Sequence, residues 1–153
     1  GPDRLEIAGQ KGIPQVVSLG ALDMVNFGPK ATVPEKFQDR NLYVHNPTIT
    51  LMRTTPGECA ELGRRIARKL SAATGPVALF IPRGGVSAIA TEGGVFHDPE
   101  ADAALIDTLL ANLGDNVEVH DMAQDINDPR FAEAMAQRLV ELVSERSRER
   151  MQA

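Results

Sequence analysis

The sequence has no tryptophan, one tyrosine and five phenylalanines in 153 residues. Platforms for stacking nucleic-acid bases therefore have almost no material. An excess of basic charge is also missing, since the formal net charge is −5 and the pI about 5.2. Polyanion binding rests mainly on phosphate neutralisation by Lys and Arg, so nucleic acid is not an expected partner, although a local basic pocket stays open. There is a single cysteine, Cys59. It excludes an intramolecular disulfide and suits a reducing cytoplasm, which is the expected compartment. No apolar run approaches the roughly 20 residues that span a bilayer, so no membrane partner is expected. The start, Gly1-Pro2-Asp3-Arg4, is polar, unlike a signal peptide. Gly1-Pro2 reads either as a protease scar or as native sequence.

What is present is ordinary for a globular protein: 42% hydrophobic and 24% charged residues. A chain of this length suits one domain with a substantial core. Residues 1–153 are expected to form a single α/β domain, with the charged end, 144–153, as a frayed tail.

Residues 3–10 read as a short helix closed by Gly12. Residues 13–20 are β-rich and suit a buried parallel strand. Residues 21–41 are irregular, with a possible helical turn at 34–38, and a loop this long is often functional. Residues 43–52 have β character interrupted by Pro47. A helix follows, capped by Thr55, with Pro56 in its first turn, Glu58 at the positive end of the dipole and an apolar stripe through Leu62, Ile66, Ala67 and Leu70. Residues 77–82 form a continuous apolar strand. Asp98-Pro99-Glu100 opens the next helix, 117–120 is a third strand, and Asn127-Asp128-Pro129 opens the last helix. Strands alternating with helices predict an α/β fold: a Rossmann-like parallel sheet with helices on both faces. Three firm strands make a thin domain. Either the irregular regions add strands or the chain is part of a larger protein.

The densest polar segment is 45–56, which holds His45, Asn46, Arg53, Thr54 and Thr55 directly ahead of a helix. Such a cluster at a helix mouth suits an anion such as phosphate or carboxylate. Arg53 is the strongest member, because a guanidinium is a forked donor for those groups. A salt bridge to Glu58 or Glu61 is the plainer alternative. His45 could act as a general acid or base, or simply sit hydrogen-bonded at the surface. In open α/β sheets ligands sit at the carboxyl ends of strands. Asp23 and Asn26 follow the first strand there and could meet a ribose, a metal or a substrate hydroxyl, or cap a turn. Arg83-Gly84-Gly85 with Ser87 follows the second, where glycines can expose N–H groups to an anion or form a tight turn. His97, Asp98, His120, Asp121, Asp125 and Asp128 lack metal-site spacing, so no metal ligands are assigned. Cys59 falls on a helix and is expected to pack.

Five motifs occur in order: Gly20-Ala21-Leu22-Asp23-Met24-Val25-Asn26-Phe27-Gly28; His45-Asn46-Pro47 with Thr50-Leu51-Met52-Arg53-Thr54-Thr55-Pro56; Gly84-Gly85-Val86-Ser87-Ala88; Phe96-His97-Asp98-Pro99; and Ile126-Asn127-Asp128-Pro129. Together they resemble the carboxy-terminal part of the Tm-one-like family, ATP-binding proteins related to the tomato mosaic virus resistance protein. The resemblance runs from Gly1 to about Val143. It implies a longer protein with two Rossmann-like α/β domains, of which this chain is most of the second. It also implies nucleotide binding, with ATP as the candidate cofactor; magnesium is a candidate companion ion only through Asp23 and Asn26. In that family a His often precedes Ile-Asn-Asp-Pro, where this chain has Asp125, which weakens any catalytic or metal role for the position.

The leading expectation is a domain that helps bind a nucleotide or another small anion, through Asp23, Asn26, Asn46, Arg53, Thr54, Thr55, Arg83, Gly84, Gly85 and Ser87. The alternatives are an enzyme acting on a small carboxylic acid with His45 and Arg53, and a structural or interaction module. The expected partners are the amino-terminal domain of the same protein and a second copy in a homo-oligomer.

Overall fold

The computed structural model describes residues 3–152; Gly1 and Pro2 lie outside them. Its centre is a parallel sheet of three strands, β1 (Gln15–Ser18), β5 (Val77–Pro82) and β6 (Val117–Met122), in the order β1-β5-β6. The register pairs Val17 with Leu79 and Leu79 with Val119. β5 is buried at all six positions, as expected of a central strand covered on both faces. Alternation sorts its side chains: Val77, Leu79 and Ile81 enter one core cluster, Ala78 and Phe80 the other.

The larger core is closed by α2 (Pro56–Ser71) and α3 (Pro99–Ala111), through Ile66, Leu70, Leu105 and Leu109. α2 starts where the residues dictate. The Thr55 hydroxyl accepts from the Glu58 N–H at 3.3 Å and the Glu58 carboxylate accepts from the Thr55 N–H at 2.8 Å, a reciprocal capping box ahead of Pro56. α3 starts likewise, with Asp98 accepting from the Ala101 N–H at 3.0 Å. The helices touch at Gly63, where a Cβ would come within 2.5 Å of the Leu105 carbonyl oxygen. The opposite sheet face is covered by α4 (Pro129–Gln152), whose Phe131 and Leu142 pack on Phe80 and Ala78. The backbone of α4 stays helical to Gln152, through the stretch expected to form a tail.

The first described helix is shorter than predicted: 3–6 is a turn and α1 spans Ile7–Gln10. The irregular regions do add strands. β2 (Met24–Phe27), β3 (Leu42–Asn46) and β4 (Ile49–Arg53) form a second, antiparallel sheet in the order β2-β4-β3. Pro47 does not interrupt a strand but sits in the turn between β3 and β4, which removes the conflict between proline and a central ladder. The predicted turn near 34–38 is a 3-10 turn at Glu35–Phe37.

Candidate functional site

The carboxyl ends of β1 and β5 meet β4 in a buried polar network. Asp23 is fully buried, and its Oδ2 accepts from the Ser87 hydroxyl at 2.7 Å. Its Oδ1 accepts no hydrogen bond among the described residues, a rare state for a buried carboxylate oxygen. The Asp23 main-chain carbonyl accepts from the Thr54 N–H at 2.9 Å, and the Thr54 hydroxyl donates to the Leu22 carbonyl at 3.0 Å. The loop leaving β1 is thus stitched to the end of β4.

Arg53 is the hub. It is only 4% exposed. Its Nε donates to the Phe96 carbonyl at 2.9 Å, and Nη1 to the Thr54 hydroxyl at 3.1 Å. Its Nη2 donates to the Asp98 carbonyl at 3.3 Å and to Asp102 Oδ1 at 2.6 Å. The guanidinium therefore ties β4 to loop 83–98 and to the first turn of α3. Burial pushes the Asp102 carboxyl above its ordinary range, Arg53 pulls the other way, and the nearby Asp23 and Asp98 add to the rise. Cys59 lies against Thr54 Oγ1, with 3.2 Å between sulfur and oxygen, and is wholly buried. Burial pushes its thiol up, away from the reactive thiolate.

Beside this network lies a small pocket of about 170 Å³ lined by Arg83, Gly84, Gly85, His97, Pro99 and Asp102, among others. Arg83 forks onto Asp121, with Nε to Oδ1 at 2.8 Å and Nη2 to Oδ2 at 2.7 Å. Its Nη1 has no acceptor among the described residues. The pair holds the Asp121 carboxyl below its ordinary range. The two glycines are required by close approach. A Cβ on Gly84 would fall 2.6 Å from the Asp125 nitrogen, and Gly85 has φ +139° against Thr91. Their own N–H groups are taken, Gly84 by the Gln124 carbonyl and Gly85 by the Pro82 carbonyl.

The predicted site residues separate into groups. Asp23, Arg53, Thr54 and Ser87 meet in the buried network, and Arg83, Gly84 and Gly85 line the adjoining pocket. Thr55 is a helix cap. Asn26 is exposed on β2 and His45 is exposed on β3. The Asn46 carboxamide oxygen accepts from the Thr48 N–H at 2.9 Å, closing the turn after β3. His45 and Arg53 are not neighbours. The Arg53 N–H donates to the Asn41 carbonyl, and His45 lies four residues further along β3, on the order of 13 Å away.

Sequence reasoning missed Asp102 altogether and placed His97 only in a loose metal set. The signal for Asp102 was available. It stands one turn before Ile106, which is buried on the inner side of α3, so helical spacing puts an acid at the edge of an apolar face. Among the described residues no group of three His, Cys, Asp or Glu could hold a metal ion, and no helix is long and apolar enough to cross a membrane.

Fold and site together define an α/β domain with a Rossmann-like parallel sheet, whose polar residues converge at the carboxyl ends of the strands. Residues 1–143 match the model of the uncharacterised protein family UPF0261, C-terminal domain. The chain belongs to that family. It is 55% identical over 144 residues to a UPF0261 protein of Clostridium tetani, covering 94% of this chain and 36% of that protein. It is 51% identical to a UPF0261 protein of Rhizobium meliloti, over 86% of this chain and 34% of that protein. It is also 44% identical to the tomato (Solanum lycopersicum) ToMV resistance protein Tm-1(GCR237), over 87% of this chain and 18% of that protein. The chain thus spans about a third of the length of its bacterial relatives, and less of the tomato protein.

Proposed function

We propose that this domain forms one wall of a site for the phosphate of a nucleotide, or for another small anion. The observation that carries the reading is the pocket at the carboxyl end of the central strand β5, where open α/β sheets hold ligands. Arg83 brings a guanidinium with an uncommitted Nη1, and His97 lines the same pocket. The first turn of α3, a 13-residue helix, supplies the positive end of a dipole. Asp102 on the same wall opposes an anion, but its charge is met by Arg53. At about 170 Å³ the pocket suits a phosphate or pyrophosphate rather than a whole nucleotide. A sugar and base would rest on the remainder of the longer protein, and magnesium would arrive with the phosphates.

In this reading Arg83, Gly84, Gly85 and His97 face the ligand. Asp23, Arg53, Thr54 and Ser87 hold the loops in place from inside. Calorimetric titration of the full-length protein with Mg-ATP, and separately with inorganic pyrophosphate, tests it. Binding of both is expected, with Arg83→Ala weakening each by about tenfold or more, the loss of one charge-assisted hydrogen bond. Absence of binding, or binding untouched by Arg83→Ala and His97→Ala together, overturns it.

A further inference from the structure

The two edges of the parallel sheet are built differently. β6 carries Glu118, His120 and Asp121, and the two acids are locked into ion pairs with Arg138 and Arg83. Charged side chains on an edge are how natural sheets avoid pairing with another chain. β1 reads Gln15-Val16-Val17-Ser18 and has no charge, no proline and no bulge. Nothing among the described residues pairs with its outer side, because the sheet order ends at β1.

The polar groups of that edge can be named. The Gln15 N–H donates inward to the Pro76 carbonyl at 3.0 Å. In a strand successive residues alternate sides, so Gln15 and Val17 address β5, while the N–H and C=O of Val16 and Ser18 point outward. An all-parallel sheet is normally covered on both faces and continued until its edge is protected. Here the covering elements overhang β1 and leave a groove of about 970 Å³, with Val16, Ser18, Leu62, Ile66 and Met135 among its walls. Leu62 and Ile66 come from α2 and Met135 from α4, so the groove opens between the same two layers that cover β5.

We propose that this groove is filled by a β-strand from the part of the protein amino-terminal to this chain, which pairs with Val16 and Ser18 and extends the sheet. Three observations choose that occupant. About two-thirds of each bacterial relative lies outside the matched segment, and the family model matched here is that of a C-terminal domain, which places the remainder upstream. Arg4, Leu5 and Glu6, which lie ahead of β1 in the chain, line the groove. The charged lining is four basic residues, Arg4, Arg65, Arg68 and Lys69, against two acidic ones, Glu6 and Glu61. The incoming strand is therefore a short apolar run flanked by Asp or Glu.

Hydrogen–deuterium exchange on the full-length protein tests this. Ladder protection predicts that the Val16 and Ser18 amides exchange at least about 100-fold more slowly than open loop amides, as a core strand does. A contiguous upstream peptide gains the same protection, and all of it survives tenfold dilution. Val16→Pro deletes one outward N–H and leaves the β1–β5 ladder intact. It should speed exchange in the upstream peptide while Leu79 stays protected. Fast exchange at Val16 and Ser18 in the wild type overturns the proposal. So does protection that disappears on dilution, or that comes with no protected upstream peptide, which would make the occupant a second copy.

Discussion

Replacing Arg53 with methionine is the sharpest perturbation of the buried network. Methionine keeps much of the apolar stem and removes every donor of the guanidinium. The ion pair to Asp102, 2.6 Å long, is lost. So are the bonds to the Phe96 and Asp98 carbonyls. Deleting one partner of a buried pair costs roughly 3–5 kcal/mol because the other charge is stranded. Asp102 keeps 20% side-chain exposure, which admits water and favours the low end, about 3 kcal/mol. The Phe96 carbonyl, left without its donor in the interior, adds about 1 kcal/mol. A loss of about 4 kcal/mol is a large share of the 5–15 kcal/mol that holds a domain folded. Urea denaturation followed by circular dichroism, on the full-length protein, measures it. The Arg53→Met, Asp102→Asn double variant should lose less than the sum of the singles by about 1–3 kcal/mol, since the two sites share one interaction. The single variant should also show a steeper pH dependence than wild type. Without Arg53 the Asp102 carboxyl rises further above its unfolded value, so the folded state binds the proton more tightly. Stability is then greatest below the unfolded value and falls as pH climbs through the folded one. If Arg53→Met stays within about 1 kcal/mol of wild type and yet abolishes anion binding, Arg53 is a ligand clamp and the scaffold assignment is wrong.

Two further outcomes are expected. Gly63→Ala should destabilise by about 1–3 kcal/mol, because the new Cβ meets the Leu105 carbonyl oxygen at 2.5 Å and the Leu109 nitrogen at 3.0 Å; a melting temperature equal to wild type would show that α2 and α3 part without cost. The Asp121 carboxyl, held low by Arg83, should titrate below its ordinary value in a carbon-13 NMR experiment and move back up in Arg83→Ala. The sign of the linkage follows: this pair stabilises above the unfolded value and stops doing so as pH falls through the folded one, by under about 1 kcal/mol because it is exposed.

The parallel sheet and its helices were legible because their signals are local and agree. Thr55-Pro56 with Glu58, and Asp98-Pro99, state where helices begin, and 77–82 is too apolar to be anything but a covered strand. The second sheet was hidden for equally physical reasons. β2 is four residues long, with its two middle positions exposed, and β4 is buried at four of its five positions, so neither shows clean alternation. Pro47 looked like a strand breaker because its place in a turn depends on β3 and β4 pairing, which is a non-local fact. The site was legible in its residue types and not in its grouping. Arg53 beside Thr54 reads as an anion fork until the Phe96 carbonyl and Asp102, 43 and 49 residues away, are seen to occupy it.

The two proposals meet in the segment that leaves β1. Gly20, Ala21 and Leu22 line the groove on one side. The Ala21 N–H donates to the Val86 carbonyl at 2.7 Å, the Leu22 carbonyl accepts from Thr54, and Asp23 accepts from Ser87. Ala21 holds this turn at φ +57°, a left-handed conformation that a non-glycine residue adopts only where its surroundings enforce it. A strand laid along β1 would press on those residues directly, and they in turn hold Val86 and Ser87, just beyond Gly84 and Gly85. The remainder of the protein would then shape the pocket twice: once by supplying its missing wall, and once through the backbone of 20–23. That arrangement gives the buried Arg53 network a purpose apart from ligand contact. It ties β4 to the loop 83–98 and to α3, and so holds the walls of the proposed pocket in place.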